Sequence, residues 1–468
     1  MEHFDVCIIG SGSGNTIIDE RFEGKRVALV ERGVFGGTCL NVGCIPTKMF
    51  VLPADLARSP EEGGRLGVDL RFEGVRFEEV RDRIFGRIDP ISSGGKQWRE
   101  QQPHVELFTG TARFVGPDSL EIAIQGEDEP YRISADQFVI AAGSRARFKD
   151  LPGLNDPRVA GAVHTSDTIM RLPSLPKSMI IHGGGFVAAE FAHVFSSYGT
   201  QVTMINRSPR LLRKEDEEVS ELFTRLMGER VRLVLNQDIS AYEANDDGTV
   251  AVIATDANGV EYSFEAEVVL EATGRIPNGD TLNLSAAGVE TDQDGFVVVD
   301  AHQRTTNERI WALGDVCSHA QLKHVANAEA RTVQHNLLHP DDLASTDHRF
   351  IPHAVFSDPQ VAAVGATEQE LREQGRRYVT KVQRFGDVAY GWALEDQEHF
   401  CKVIADPATG QLLGAHIVGP QASTLLQPLV QAMSFGLGVR EMARGQYWIH
   451  PALTEVIENA LLGLELDA

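Results

Sequence analysis

The sequence predicts an α/β fold with two parallel, doubly wound sheets followed by a mixed α+β segment. A strand, a glycine-rich turn and a helix-forming stretch follow one another twice, once from residue 4 and once from residue 178. Both turns have the glycine spacing of a dinucleotide fingerprint, and none follows residue 346. We therefore expect two Rossmann-like dinucleotide-binding domains and a third domain of a different kind.

The first repeat begins with an apolar strand over residues 4–10 and continues into a second strand over residues 26–30. Between them, Gly10, Gly12 and Gly14 leave bare backbone N–H groups that a pyrophosphate can approach at the start of a helix. Glu31 ends the second strand, where a carboxylate suits a ribose hydroxyl. Asn15 replaces the last glycine of the usual fingerprint, so a glycine-rich turn without a ligand is the alternative interpretation.

The second repeat has a strand over residues 178–182, a helix reaching residue 198 and a strand over residues 201–205. Its fingerprint, Gly183, Gly185 and Ala188, is more regular, since alanine is accepted at the third position. Arg207 and Arg213 follow the last strand, where NAD-binding proteins carry an acidic residue. Two guanidinium groups favour the 2′-phosphate of NADP, and a solvated basic turn is the alternative.

The chain returns to a strand-like stretch over residues 308–315, which is expected to complete the first nucleotide domain. The predicted domains are residues 1–147 completed by 278–345, residues 148–277, and residues 346–468. The final helix, near residues 453–464, is rich in leucine, isoleucine and valine and is expected to face a partner subunit.

Composition narrows the functional class. The net charge of −24 repels phosphate backbones and anionic lipids, so we expect no nucleic-acid or membrane partner. No apolar run approaches the roughly 18 residues of a membrane span, and the N-terminus reads as a strand rather than a signal peptide. The five cysteines are too scattered for a secreted disulfide framework, so we expect a cytoplasmic protein.

Two cysteines nevertheless lie close together, Cys39 and Cys44 in the stretch GGTCLNVGCIPTK at residues 36–48. In a regular helix they would be about 7.5 Å apart along the axis, so a bridge between them must distort the helix. A metal pair is the alternative, but the other cysteines have no matching spacing. The spacing therefore indicates a redox-active pair.

Near the C-terminus, His450 and Glu455 supply an imidazole and a carboxylate that are suited to general acid–base catalysis. Glu455 would orient the ring, and a protonated His450 would stabilise a thiolate and protonate a departing thiol. A purely structural His-Pro at a helix start is the alternative.

These motifs resemble the class I flavoprotein disulfide reductases, the family of glutathione reductase, dihydrolipoyl dehydrogenase and mercuric reductase. The resemblance covers essentially the whole chain. Besides the cysteine stretch it rests on Gly-x-Gly-x-x-Ala at 183–188, Ala-Thr-Gly-Arg at 272–275, Ala-Leu-Gly-Asp at 312–315 and His-Pro-x-x-x-Glu at 450–455.

The resemblance implies FAD in the first nucleotide domain and NADPH in the second, with a small-molecule disulfide as substrate. Cys39 would attack the substrate, and Cys44 would lie next to the flavin. Lys48, paired with Glu190, would lie beside the flavin N5, and His450 and Glu455 would come from the other subunit of a homodimer. The residues expected to contact the cofactors are Gly10, Gly12, Gly14, Glu31, Thr38, Ala142, Gly143, Gly183, Gly185, Phe186 as a gate over the flavin, Ala188, Arg207, Arg213, Gly274, Gly314 and Asp315.

Relatives within the family remain as alternatives. Dihydrolipoyl dehydrogenase shares the cysteine and histidine motifs but uses NAD, against which Arg207 and Arg213 argue. Mercuric reductase and the larger thioredoxin reductases need additional C-terminal thiols or a selenocysteine, which this C-terminus lacks. A redox-sensing flavoprotein without enzymatic activity would be favoured by loss of either the cysteine or the histidine pair, and both pairs are present.

Overall fold

A computed structural model of the chain describes residues 1–124 and 126–467. The chain divides into two compact units. The first unit contains Met1–Thr47, Glu79–Arg147 and Gly274–His348, and the second contains Lys48–Glu78, Phe148–Thr273 and Arg349–Ala468. The expected separation of a third domain at residue 346 stays a prediction.

The strands, numbered along the chain, are β1 Glu2–Ile9, β2 Val27–Glu31, β3 Val105–Gly116, β4 Ser119–Ile124, β5 Tyr131–Ile140, β6 Ser144–Ala146, β7 Val163–Thr165, β8 Ser178–His182, β9 Gln201–Asn206, β10 Arg232–Leu235, β11 Gln237–Ala244, β12 Val250–Asp256, β13 Glu261–Ala266, β14 Val268–Glu271, β15 Arg275–Pro277, β16 Ile310–Ala312, β17 His353–Val355, β18 Val361–Gly365, β19 Val379–Arg384, β20 Phe400–Ala405 and β21 Leu412–Val418.

The α-helices are α1 Gly37–Asn41, α2 Cys44–Ala57, α3 Ser59–Arg65, α4 Phe77–Glu100, α5 Pro157–Ala160, α6 Phe186–Tyr198, α7 Glu217–Gly228, α8 Lys323–Leu338, α9 Glu368–Glu373, α10 Ala389–Ala393, α11 Ala422–Leu425, α12 Gln427–Phe435, α13 Val439–Arg444 and α14 Glu455–Leu462.

The two expected parallel sheets are present, one in each unit. In the first unit the parallel strands run in the order β3-β2-β1-β5-β16, with β4 pairing antiparallel to β3 and β5. In the second unit the parallel order is β10-β9-β8-β14-β7. Each unit therefore has a sheet with five parallel strands. The stretch over residues 308–315 joins the first sheet through β16, as expected. The fold class predicted from the sequence is confirmed.

The helix expected after the first fingerprint differs from the prediction. Two short 3-10 helices, Gly14–Ile17 and Glu20–Phe22, occupy that stretch. The β-branched residues at 16–18 disfavour an α-helix, and Asp19 caps the second short helix by accepting from the Arg21 N–H. The guanidinium of Arg99, which is buried, donates to the Asn15 Oδ1 at 2.7 Å and to the Asn15 and Ile18 carbonyls at 2.7 and 2.8 Å. Side-chain donors therefore satisfy backbone carbonyls here.

The C-terminal segment of the second unit contains an antiparallel sheet in the order β17-β18-β21-β20-β19. Helix α14 begins at Glu455, close to the expected start, and packs against β19 and β20. Its apolar residues Val456, Ile457, Ala460 and Leu461 are buried in the core of that segment. These apolar residues thus contact the chain's own sheet, and the expected contact of the helix with a partner subunit stays a prediction.

A buried cation joins this C-terminal segment to the nucleotide-binding part of the second unit. The Lys402 Nζ on β20 lies 2.9 Å from Asp216, 2.6 Å from Glu218 and 2.5 Å from Glu368. Burial opposes ionisation of Asp216 and Glu368, but their hydrogen bonds with Lys402 hold the pKa of both carboxyls below the ordinary value. The ammonium therefore compensates a carboxylate cluster in which Asp216 is fully buried, Glu368 is partly buried and Glu218 is exposed.

Among the described residues, every helix is too short or too polar to cross a bilayer.

We predict that Lys402→Met destabilises the second unit by about 3–5 kcal/mol at neutral pH, because it leaves carboxylates without their cation. Urea unfolding followed by fluorescence measures the effect, and the exposed Lys177→Met should change stability by less than about 0.5 kcal/mol. Lowered carboxyl pKa values stabilise the fold above the unfolded-state pKa, and this contribution is lost as the pH falls through the folded-state pKa. The difference in unfolding free energy between the wild type and Lys402→Met should therefore become smaller below about pH 4. A difference that does not change with pH would show that Lys402 does not stabilise ionised carboxylates.

Candidate active site

The cysteine pair lies across a break between two helices in the first unit. Cys39 is in α1, and Cys44 is the first residue of α2. Between them Val42 leaves helical geometry, with φ −143° and ψ 14°. A Cβ at Gly43 would lie 3.0 Å from the Thr38 carbonyl oxygen and 3.4 Å from the Cys39 Cα, so glycine lets the two helices approach closely. The distortion expected between the cysteines is present.

The two sulfurs are in contact as thiols, and the five cysteines, all of them described, form no disulfide bond. The Cys39 thiol donates a hydrogen bond to Cys44, and this bond together with burial and a negative charge on Cys44 raises the pKa of Cys39 strongly. Lys323 opposes the rise. The N-terminus of α2 favours negative charge at Cys44, so the geometry favours a thiolate at Cys44 and a proton on Cys39.

The first glycine fingerprint forms a cradle of bare backbone. A Cβ at Gly10 would lie 2.3 Å from the Ala141 carbonyl oxygen, and one at Gly37 would lie 2.7 Å from the Gly12 Cα. Glu31 organises this loop: its Oε2 accepts from the Ser11 N–H and hydroxyl at 2.9 and 2.6 Å, and its Oε1 accepts from the Gly33 N–H at 2.8 Å. Gly143 faces open space. These features fit the approach of a dinucleotide.

A polar network that the sequence analysis missed surrounds Asp315. The Ser144 hydroxyl donates to the Asp315 carboxylate at 2.7 Å, and the Arg275 Nε donates to the Ser144 hydroxyl at 2.7 Å. The Gly314 N–H donates to the buried carboxylate of Glu329 at 2.6 Å. The Ala-Thr-Gly-Arg motif contained Arg275, but its partner lies 131 residues away along the chain, so local pattern could not reveal the bond.

In the second unit, Lys48 and Glu190 form the ion pair that the resemblance implied. The Lys48 Nζ lies 2.8 Å from both carboxylate oxygens of Glu190, which is 4% exposed. Phe356, which the sequence analysis did not identify, donates its backbone N–H to Glu190 at 2.9 Å, and its ring centre lies 4.7 Å from the Lys48 Nζ. The lysine is therefore fixed by charge and by an aromatic face. Its position beside a flavin stays a prediction.

The second fingerprint forms a cradle similar to the first. A Cβ at Gly183 would lie 2.5 Å from the Ala272 carbonyl oxygen, and one at Gly185 would meet open space. Ala188 is fully buried, as close packing of helix and strand requires. Phe186 is 47% exposed in the first turn of α6, in keeping with a movable gate. The Thr273 hydroxyl is buried without a hydrogen-bond partner among the described residues, and a bound dinucleotide is one group that would satisfy it.

A buried histidine joins the two strands that lead into this cradle. The ring of His182, at the end of β8, lies 2.9 Å from Glu271 at the end of β14 and 2.6 Å from Asp238. Burial lowers its pKa, but the two carboxylates outweigh burial and raise the pKa of His182 above its ordinary value. The His182 ring therefore links the ends of both strands through its two carboxylate partners.

The arginines after β9 differ in their partners. Arg210 pairs with Glu221 at 3.0 Å and Glu217 at 3.5 Å. Arg207 and Arg213 are exposed, and neither has an ion-pair partner among residues 1–124 and 126–467. Two available guanidinium groups at this strand end fit a 2′-phosphate.

His450 and Glu455 lie in the second unit. The His450 Nδ1 lies 2.7 Å from the Glu455 Oε1, and the imidazole is 70% exposed whereas the carboxylate is 17% exposed. The carboxylate fixes the ring and leaves Nε2 directed away from it, toward any group that docks there. The dyad predicted from the sequence is thus formed, whereas its position relative to Cys39 stays a prediction.

Comparison with known proteins agrees with these features. The family model described as pyridine nucleotide-disulphide oxidoreductase matches residues 4–331, and the dimerisation-domain model of the same family matches residues 351–461. The chain belongs to the pyridine nucleotide-disulphide oxidoreductases. It is therefore an FAD-dependent disulfide oxidoreductase with NADPH as its second cofactor, as the resemblance implied, and its dimerisation domain supports a homodimer.

Three similar proteins illustrate the range of this family. Mycothione reductase of Mycobacterium tuberculosis is 48% identical over 99% of this chain and 100% of its own length. Dihydrolipoyl dehydrogenase of Mycobacterium leprae is 31% identical over 99% of this chain and 98% of its own. The HOCl-induced flavoprotein disulfide reductase of Escherichia coli, in its Cu(II) complex, has a TM-score of 0.84 at 25% identity and covers 99% of both chains.

We predict that Arg207→Gln and Arg213→Gln each raise the KM for NADPH about tenfold and leave kcat nearly unchanged, because each removes a charge-assisted hydrogen bond to a phosphate. Steady-state kinetics with NADPH and NADH measure the effect. Arg210→Gln is the matched control and should change neither constant, since Arg210 is already paired. Equal losses with NADH and NADPH would show that these arginines do not recognise the 2′-phosphate.

Proposed function

We propose that this chain reduces mycothiol disulfide with NADPH, using Cys39 and Cys44 as the redox pair. For the substrate, the supporting observation is the 48% identity with mycothione reductase along the whole length of both proteins. For the chemistry, it is the hydrogen bond between the two sulfurs across the helix break at Val42 and Gly43. A cytoplasmic location is part of this proposal, since catalytic rather than structural cysteines are usual there.

The cradles around Gly10 and Asp315, with Glu31, Thr38, Ala142 and Gly143, would hold FAD, and the Gly183 loop with Arg207 and Arg213 would hold NADPH. The chemistry that bound FAD supplies is the conversion of the hydride of NADPH into an electron pair for the cysteines. Lys48, held by Glu190 and Phe356, would present a fixed positive charge to the flavin ring of FAD. Phe186 would cover the nicotinamide side of the ring until NADPH displaces it.

The remaining steps involve the chain's own side chains. With both cysteines reduced, the pair holds a proton on Cys39, whose raised pKa means that a base must remove it. The Cys39 thiolate then attacks one sulfur of the substrate and forms a mixed disulfide with it, while the substrate S–S bond breaks and the departing thiolate takes a proton. The Cys44 thiolate then attacks the Cys39 sulfur and breaks this mixed disulfide. The second half of the substrate leaves as a thiolate that takes a proton from solvent, and the Cys39–Cys44 disulfide forms.

His450 is the proposed base and acid in these steps. Its exposed ring, fixed by Glu455, can take the proton from Cys39 and return it to the departing thiol. In a homodimer the dyad would serve the cysteine pair of the partner subunit, so each active site would need both chains. The dimerisation domain that contains the dyad supports this arrangement.

We predict that Cys39→Ser and Cys44→Ser both abolish disulfide turnover while FAD remains bound. Cys39→Ser should keep a single thiolate at the start of α2 and hence a long-wavelength charge-transfer absorbance, whereas Cys44→Ser should lose it. Absorbance spectra and NADPH oxidation with mycothiol disulfide measure both effects. The buried Cys401→Ser is the control, and turnover by either active-site variant would overturn the mechanism.

We predict that His450→Gln slows reoxidation of the cysteine pair by disulfide by about 10²–10⁴-fold and leaves flavin reduction by NADPH unchanged, because only the former needs the proton transfer. Stopped-flow absorbance separates the two half-reactions. The exposed His319→Gln should behave as wild type. Equal slowing of both half-reactions would contradict the assigned role.

Mixed dimers of Cys39→Ser and His450→Gln chains test the shared site. If each site combines two chains, a mixed dimer contains one complete site and its turnover rises well above that of either variant alone. If the site lies within one chain, mixing restores nothing.

The substrate is tested with mycothiol disulfide, glutathione disulfide and lipoamide, each assayed with NADPH and NADH. We expect the highest kcat/KM for mycothiol disulfide with NADPH. A preference for lipoamide with NADH would instead identify a dihydrolipoyl dehydrogenase.

A further inference from the structure

Helices α2 and α6, which carry Lys48 and Glu190, are joined by more than that ion pair. A second contact lies between His193, three residues after Glu190 on α6, and Asp55 on α2: the His193 Nε2 lies 2.7 Å from the Asp55 Oδ1. His193 is completely buried, whereas the Asp55 side chain is 44% exposed. The two pairs therefore join the same two helices at two places.

The proton on His193 has only one possible position. The Arg230 Nη2 lies 3.0 Å from the His193 Nδ1. Burial lowers the pKa of Arg230 to about 10, so the guanidinium stays protonated at neutral pH and can only donate. The Nδ1 must therefore accept, and Nε2 must carry the proton that is donated to Asp55. The two contacts therefore assign Nε2 as the donor and Nδ1 as the acceptor of His193.

Arg230 continues the network back to Glu190. Its Nη1 donates to the carbonyl oxygen of Asp358. Two residues earlier in the same loop, the Phe356 N–H donates to the Glu190 Oε1 at 2.9 Å, and the Phe356 ring contacts Lys48. The chain of contacts therefore closes on itself. This circuit consists of Lys48, Glu190, Phe356, Asp358, Arg230, His193 and Asp55.

We propose that His193 and Arg230 are positioning residues that fix the Lys48–Glu190 ion pair at the distance and angle its role beside the flavin requires. The proposal rests on the proposed function, because it assigns these residues to the reductive part of that reaction. His193 holds α6 to α2, and Arg230 holds the Phe356 loop against Glu190. Replacing either residue would loosen the structure around the Lys48–Glu190 ion pair while leaving Lys48 and Glu190 themselves unchanged.

The directions of the bonds support a positioning role over simple packing. An apolar side chain could fill the space of His193, but it could not satisfy a donor from Arg230 and an acceptor on Asp55 together. Arg230 would lose one acceptor while keeping its contacts with Ser197 and Asp358, and α2 would shift. Lys48 would then move relative to Glu190, since among the described residues its side chain is held by that carboxylate and the Phe356 ring.

Three variants separate the contributions. His193→Phe removes both nitrogens at similar volume, and His193→Gln restores one donor and one acceptor. Asp55→Ala opens the circuit from its exposed end, so the fold should tolerate it even if His193→Phe does not fold. His399→Phe is the matched control, because His399 also pairs with an aspartate in the same unit, Asp396 at 2.7 Å, but lies outside the circuit.

The first measurement is the rate at which acetic anhydride acetylates Lys48, followed by mass spectrometry in FAD-free and FAD-loaded protein, with Lys149 as internal reference. We expect about tenfold faster acetylation in His193→Phe and Asp55→Ala, the size of effect typical of one coupled contact. His193→Gln and His399→Phe should stay within about twofold of wild type. The second measurement is the charge-transfer absorbance after chemical reduction. It should fall in His193→Phe and Asp55→Ala and should be close to wild type in His193→Gln.

Wild-type Lys48 acetylation in both Asp55→Ala and His193→Phe would overturn the proposal, as would a His193→Gln variant that behaves like His193→Phe. Neither readout needs a disulfide substrate. Failure of the wild-type protein to reduce any disulfide would therefore count against the proposed function, whereas the acetylation rates would still decide the role of the circuit.

Discussion

The contact between the Cys39 and Cys44 sulfurs is the interaction on which the proposed chemistry depends, and the chain makes it by interrupting a helix. Val42 leaves helical geometry, and Gly43 allows the end of α1 to lie against the start of α2 at a distance where a Cβ would be crowded. The break has a second consequence. It makes Cys44 the first residue of a new helix, where the helix dipole favours negative charge, while Cys39 keeps its proton. One local irregularity thus brings the sulfurs together and makes them unequal.

The two parallel sheets place cofactor-binding loops by the same construction and differ where the cofactors differ. Each fingerprint has a glycine whose missing Cβ lets a loop lie against a backbone carbonyl, Ala141 in the first unit and Ala272 in the second. The strand that follows ends in Glu31 in the first unit, a residue suited to a ribose hydroxyl. In the second unit the exposed Arg207 and Arg213 follow the corresponding strand, so the same fold presents opposite charge to its ligand.

Much of this was accessible from the sequence because the signals are local. Strand β8 has the predicted bounds, since an apolar run ends there at a glycine triplet. The His450–Glu455 contact follows from a spacing of five residues. After Gly14 the local signal for a regular helix was wrong: the β-branched residues at 16–18 disfavour an α-helix, and the distant Arg99 side chain donates to the carbonyls of Asn15 and Ile18. The apolar residues of α14 pack against the chain's own β19 and β20, and the expected contact of this helix with a partner subunit stays a prediction.

The sequence by itself determined the fold class, the two nucleotide-binding repeats, the cysteine pair and the histidine dyad, because glycine spacing, apolar periodicity and short-range motifs depend on residues that are close in the chain. Only the tertiary structure decided which groups fix those residues. Ser144 and Arg275 hold Asp315, Phe356 holds Glu190 and Lys48, and Arg230 sets the tautomer of His193. A hydrogen-bond partner is selected by distance in space, and in these cases the partners come from segments far apart in the chain, where no periodicity relates them.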